Sequence, residues 1–187
     1  MSEKALKTGI IIGAIVIVSL LFIFRNRIFR VLLSSQQELY IRNLHPKVQD
    51  KFRRFIRRVE NETGYSVIIT DGNRSYEDQL KEHNADPTNV PKPGGSLHGY
   101  GMAIDINATN GTTYLRKSSS IDAWNKSGIP QIAKEMGFKW GGDYLSYHDP
   151  IHFDLGNDYD IDYLIGLAQS QFGSDWQKMD GNKIRLT

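Results

Sequence analysis

Residues 96–106, Ser-Leu-His-Gly-Tyr-Gly-Met-Ala-Ile-Asp-Ile, place an imidazole, His98, seven positions before a carboxylate, Asp105, with glycines between them. Neutral imidazole nitrogen and carboxylate oxygen both suit a borderline metal such as zinc, and a catalytic zinc takes three protein ligands and keeps a fourth position open. A third donor, His152, lies far downstream within residues 140–155, Trp-Gly-Gly-Asp-Tyr-Leu-Ser-Tyr-His-Asp-Pro-Ile-His-Phe-Asp-Leu. Two ligands from one stretch and one from a distant stretch are what neighbouring strands of a sheet bring to a shared ion. Taken singly, His98 beside a glycine is equally a turn residue and Asp105 equally a cap. Together with His152 they nominate a zinc site. Zinc held this way lowers the pKa of water to about 7 and polarises a peptide carbonyl, which is the chemistry of hydrolysis.

The elements that must position these donors follow from local pattern. Met102, Ile104 and Ile106 alternate with Ala103, Asp105 and Asn107, so a strand there turns Asp105 away from the apolar face. His98 differs from Asp105 by an odd number, so Gly99 and Gly101 must break the regular strand to let both reach one ion. In residues 151–155, a second strand, His152 and Asp154 share a face opposite Phe153 and Leu155. Upstream, Val48, Phe52, Phe55, Ile56 and Val59 form one apolar stripe of a helix that opens at Pro46 and ends at Gly64, with Lys and Arg on its other faces. Residues 65–70 are a β-branched strand closed by the turn Asp71-Gly72-Asn73, followed by a short helix over residues 76–83. Residues 84–95, rich in Pro, Gly and Asn, form an irregular wall, and residues 108–120 a polar excursion. Residues 121–126 make a helical turn, and Pro130 opens a helix closed by Gly137. Ile161, Leu164, Ile165 and Ala168 make an amphipathic helix that stops near Gly173, and the tail beyond, with Trp176 and Ile184, carries no clear signal.

Ser-x-His-x-x-Gly-x-Ala-x-Asp at 96–105, then Trp-Gly-Gly-Asp at 140–143 and Asp-x-x-His-Phe at 149–153, resemble the zinc peptidases that cut bacterial cell-wall peptides. That family comprises D-alanyl-D-alanine carboxypeptidases and dipeptidases of the vancomycin-resistance type and the L-alanyl-D-glutamate endopeptidases of phage endolysins. The resemblance runs over roughly residues 65–155, and Trp-Gly-Gly-Asp is closer to the endopeptidase branch; Tyr144 departs from it, since that branch usually has Trp there. It implies an α+β fold, a small antiparallel sheet with flanking helices around a single zinc site, in a peptidase domain over residues 46–187. It also implies that Asp149, matching the acidic residue of the Asp/Glu-x-x-His motif, is the base that takes a proton from water and returns it to the leaving amine. Pro150 holds Asp149 in extended geometry. Arg74 matches the family's arginine, with Asn73 replacing an aromatic, and the resemblance gives it a substrate carboxylate or carbonyl; on its own it reads as a surface ion-pair partner. Ser96 is either a substrate-binding hydroxyl or a turn hydroxyl. Asp143 supports the site structurally, and His148 either donates to a ligand or stands exposed. The implied function is a peptidoglycan stem-peptide hydrolase, an L-alanyl-D-glutamate endopeptidase. Its alternatives are a D,D-carboxypeptidase that removes terminal D-Ala and a zinc-containing wall-binding module without activity, against which Asp149 argues.

The 187 residues suffice for one domain and an appendage, and apolar and charged fractions of 40% and 24% are ordinary for a globular chain. Cysteine is absent, which excludes disulfides, thiolate zinc ligands and a cysteine nucleophile. Charge is uneven: residues 1–58 hold 12 Lys and Arg against 3 acids, and the remainder 11 against 18. That basic part adjoins an uncharged apolar run, residues 9–24, flanked by Lys4 and Lys7 and by Arg25, Arg27 and Arg30. As a helix the run is about 24 Å long, enough to span a bilayer if the flanking cations snorkel. Residues 1–33 therefore read as a membrane anchor with a basic flank and residues 34–45 as a polar connector. The rival is a cleaved signal peptide, but no Ala-x-Ala-like site follows the run. Anionic lipid rather than nucleic acid is the implied partner of the basic segment. Loop charge alone slightly favours a catalytic domain on the cytoplasmic side. A wall-peptide substrate requires the opposite, and the reading adopted is a single N-terminal helix with the catalytic domain outside the cytoplasm.

Overall fold

The computed structural model describes residues 35–186. The expected membrane anchor lies outside the described residues, and among those described no helix is long and apolar enough to cross a membrane. Helix α1 covers the described residues 35–43. A compact unit begins at Leu39, and Ile41, Leu44 and Val48 are buried in its core. Residues 39–45 are thus packed where the sequence suggested a connector. Four polar or charged neighbours hide the apolar set at 41, 44 and 48, which has helical spacing.

Helix α2, Gln49–Thr63, buries Phe52, Phe55, Ile56 and Val59 on one stripe and ends at Gly64 with φ 72°, the left-handed conformation a C′ glycine adopts without a Cβ clash. Much of its basic face is matched by acids: Arg53 pairs with Asp50, and Arg58 with Glu62 and Glu135. The stripe packs on aromatic residues from later in the chain. The Phe55 ring centre lies 4.9 Å from Phe138 and 5.3 Å from Phe153.

One antiparallel sheet carries the site. Strand β1, Ser66–Asp71, pairs with β2, Ala103–Thr109; β2 pairs with β5, His152–Asp154; and β5 pairs with β4, Lys139–Trp140. A two-residue strand β3, Tyr114–Leu115, folds back on the end of β2, so the expected polar excursion contains a hairpin anchored by buried Leu115. Ile104, Ile106 and Ala108 of β2 and Phe153 of β5 join the main core. Helix α3, Tyr76–Ala85, is capped by Ser75, whose hydroxyl accepts from the Asp78 amide. Helices α4, Ile121–Lys126, and α5, Ile129–Glu135, contribute Trp124, Ile129, Ile132 and Ala133 to that core, with Pro130 in the first turn of α5 as the pattern predicts.

Helix α6, Ile161–Phe172, buries Leu164 and Ala168 in a second cluster with Tyr100, Met102 and Ile184. This explains the tail. Residues 173–186 fold under the turn that bears His98, and Gly181 lies so close to the Gly99 carbonyl that no Cβ would fit there. The His45 ring nitrogen Nε2 lies 2.9 Å from the Ile184 carbonyl, tying the tail to the start of the domain.

Candidate metal centre

His98 does not sit on β2. It belongs to a 3-10 turn, Leu97–Tyr100, capped by Ser96, whose hydroxyl accepts from the His98 amide at 3.3 Å. Gly101 ends the turn with φ 64°, and a Cβ on it would lie 2.6 Å from the His45 amide nitrogen. That turn resolves the parity problem, and only glycine permits both its conformation and its packing. Asp105 and His152 need no such device, since they are directly paired across β2 and β5.

Three donor atoms converge as a result. His98 Nε2 is 3.2 Å from Asp105 Oδ1 and 3.1 Å from His152 Nδ1, and His152 Nδ1 is 3.0 Å from Asp105 Oδ1. In a tetrahedral zinc site with bonds of about 2.0–2.1 Å, ligand atoms are about 3.3 Å apart, so this triangle has the right size. Proton accounting strengthens the fit. His98 Nδ1 lies 2.7 Å from the Gly72 carbonyl, which can only accept, so Nδ1 carries the hydrogen and Nε2 is left with a lone pair. His152 Nε2 lies 3.1 Å from Asp154 Oδ2 and donates to it, leaving the Nδ1 lone pair facing inward. Two imidazole lone pairs and a carboxylate oxygen at this range repel one another unless a cation lies between them. The outer partners that fix both tautomers, a carbonyl and a carboxylate, are those that metal-bound histidines use.

In the metal-free form a proton takes the cation's place. Burial opposes charge on His152, but the hydrogen bonds to Asp105 and Asp154 outweigh it and push the imidazole up to about 10. Burial works to raise Asp105, but the two histidines win and hold it well below the usual carboxylate range. Asp154 is likewise drawn down, against burial, by His152 and by the Gly156 amide. Tyr144 donates its hydroxyl to Asp154 Oδ2 at 2.8 Å, so the Tyr that departs from the family pattern braces the second histidine through its carboxylate partner.

The donors form the floor of a cleft of about 470 Å³ lined also by Arg74, Ser96, Lys117, Tyr147 and Asp149. Asp149 is partly buried, and burial followed by the nearby Asp105 charge raises its pKa. Its Oδ1 is buried with no hydrogen-bond partner among the described residues. The Trp-Gly-Gly motif builds this position. The Asp149 amide donates to the Gly141 carbonyl at 3.0 Å, the Trp140 indole donates to the Pro150 carbonyl at 2.8 Å, and a Cβ on Gly141 would collide with the Asp149 carbonyl. Arg74 donates to Asp71 through Nε at 2.8 Å and to Gln79 through Nη1 at 3.0 Å, and its Nη2 lies 3.7 Å from Asp105 Oδ2. Asp143 points to the surface, where it pairs with Lys134 at 2.7 Å, and His148 Nδ1 lies 3.0 Å from the Gly142 carbonyl. Sequence reasoning passed over Asp71, Gln79 and Lys117, none of which has a local signal; the role of Asp154 was foreshadowed by its parity with His152.

A family model described as D-alanyl-D-alanine carboxypeptidase matches residues 90–155, which hold all three donors. The peptidoglycan L-alanyl-D-glutamate endopeptidase CwlK of Bacillus subtilis is 30% identical over 131 residues, 60% of this chain and 74% of that protein. The chain belongs to the D-alanyl-D-alanine carboxypeptidase family of zinc peptidases. Among solved structures, the Serratia marcescens L-Ala D-Glu endopeptidase ChiX is 25% identical with a TM-score of 0.49, covering 65% of this chain and 88% of that one. The vancomycin-resistance D,D-pentapeptidase VanY of the VanB-type cassette, in complex with zinc, is 18% identical with a TM-score of 0.43, covering 66% and 78%. Membership of the carboxypeptidase family accounts for the donor set, two imidazoles and one carboxylate converging at a cleft floor.

Proposed function

We propose that this member of the family is an L-alanyl-D-glutamate endopeptidase, cutting the stem peptides of peptidoglycan. The chain is a zinc-dependent peptidoglycan peptide hydrolase, and the observation that carries this reading is the convergence of three lone-pair donors beside a partly buried carboxyl. His98, Asp105 and His152 are the residues that would hold the zinc. When bound, the metal lowers the pKa of water and polarises the scissile carbonyl. Asp149 then accepts the proton of the attacking water and returns it to the leaving nitrogen; its raised pKa suits a group that must both take and give. Arg74, stiffened by Asp71 and Gln79, attracts the Asp105 carboxylate from 3.7 Å and offers its remaining donors to a substrate oxygen. Ser96 caps the His98 turn and faces the cleft, where its hydroxyl meets substrate.

The endopeptidase assignment is supported by the CwlK relationship and the Trp-Gly-Gly-Asp motif. Removal of a terminal D-Ala is the second reading, favoured by the description of the matching family model. Digestion of purified muropeptides followed by mass spectrometry separates them. Cleavage after L-alanine is expected, and loss of D-alanine alone would replace the endopeptidase reading with the carboxypeptidase one. The apolar run at 9–24 and its basic flanks support anchoring to a membrane, and the wall-peptide substrate supports placing this domain on the wall side. Protease treatment of intact spheroplasts should degrade the domain, and full protection would place it inside.

A further inference from the structure

Beside the proposed base lies a cation from a part of the chain with no motif. Lys117 follows β3, and its Nζ reaches back to 3.7 Å from Asp149 Oδ2 and 5.3 Å from the centre of the Tyr147 ring. At 3.7 Å the pair attracts, but the contact is too long for a hydrogen bond. The side chain keeps 57% exposure on the cleft wall, so its ammonium hydrogens can reach a ligand in the cleft. Burial disfavours its charge, but Tyr147 and Asp149 outweigh burial and keep it cationic.

Resting on the endopeptidase reading, we propose that Lys117 is a specificity residue that binds the α-carboxylate of the D-glutamyl residue whose amine leaves. The geometry follows from the role of Asp149. A group that protonates the leaving nitrogen sits within about 3 Å of it. The carboxylate carbon is two bonds from that nitrogen, placing its oxygens within about 4 Å. These steps keep the carboxylate within about 7 Å of Asp149, and Lys117, whose ammonium is 3.7 Å from the same Asp149 on a flexible four-carbon stem, can swing to meet it. D-glutamate in a stem peptide continues through its side-chain carboxyl, so its α-carboxylate is free and negative. Two other cations line the cleft: Arg74, held by Asp71 and Gln79 and left to a different substrate oxygen, and Lys139, opposite Asp154 on β4.

The test uses the zinc-loaded protein and two synthetic stem peptides that differ only in a carboxylate or carboxamide on the D-glutamyl α-carbon. The wild type should cleave the acid with the lower KM. Lys117→Met should lower kcat/KM for the acid at least tenfold more than for the amide, and Lys117→Arg should restore part of that preference. Calorimetry with the D-glutamyl product peptide, in acid and amide forms, should show the same preference vanishing in Lys117→Met. Equal losses on both peptides, or an unchanged preference in Lys117→Met, overturn the proposal. If the wild type cleaves neither peptide after L-alanine, the endopeptidase reading fails, and the product-binding measurement still decides whether Lys117 reads the carboxylate.

Discussion

Asp105 and His152 are direct partners across β2 and β5, 47 positions apart in the chain, with Oδ1 and Nδ1 3.0 Å from each other. Each atom presents electron density to the other, so the pair is stable only when a proton or a metal ion mediates between them. Consequences for pH, metal and stability follow from that relationship.

Metal-free protein should lose stability as pH rises. The folded pKa of His152 stands at about 10 against an ordinary value of 6.5, so its contribution is complete below 6.5 and is lost as pH rises towards 10. Asp105 acts in the other direction: its lowered pKa contributes above the ordinary carboxylate value and is lost in acid. Melting temperatures measured in chelator at pH 6.5, 8 and 9.5 should fall in that order. The decline should be smaller in zinc-loaded protein, where metal replaces the proton. A metal-free melting temperature that climbs over this window would contradict the arrangement.

Asp154→Asn should weaken zinc binding about 10–100-fold without removing a ligand, because the amide no longer provides the carboxylate that fixes the His152 tautomer. Tyr144→Phe removes one hydrogen bond to the same carboxylate and should have a smaller effect in the same direction. Competition titrations against a chromogenic chelator give both affinities, and wild-type affinity in Asp154→Asn would show that His152 is oriented by something else.

Asp149→Asn should reduce kcat by about 10²–10⁴-fold, the usual range for loss of a positioned base. Zinc content should stay at one ion per chain, since Asp149 is not among the three converging donors. Mass-spectrometric metal analysis beside the peptide assay checks both halves; lost zinc would make Asp149 a ligand instead.

Gly141→Ala should destabilise the domain by about 1–3 kcal/mol through overpacking, because the new methyl collides with the Asp149 carbonyl. The loop bearing Asp149 must then shift, so peptide cleavage should fall while zinc binding is kept. A denaturant melt and an activity assay on the same preparation would expose a neutral substitution.

The three donors that converge were legible because their chemistry is written in type and spacing: imidazole, carboxylate and glycine at fixed intervals, with strand parity placing Asp105 and His152 off the apolar face. The α2 stripe, the Gly64 stop and the α6 amphipathicity were legible for the same reason, each being a short-range periodicity. Lys117 was not, because a lysine in a polar stretch has no local signature. The hairpin at β3 escaped notice because its two residues are too few to show alternation.

The sequence by itself determined the donor set, the absence of thiolate chemistry, the principal helices and the strand faces, since these depend on side-chain type and on periods of two and 3.6 residues. Only the tertiary structure decided which groups fix the two tautomers, how the tail supports the His98 turn, and that a lysine stands beside Asp149. Those relationships link residues tens of positions apart, and their distances are set by how the packed sheet and core bring the backbone together.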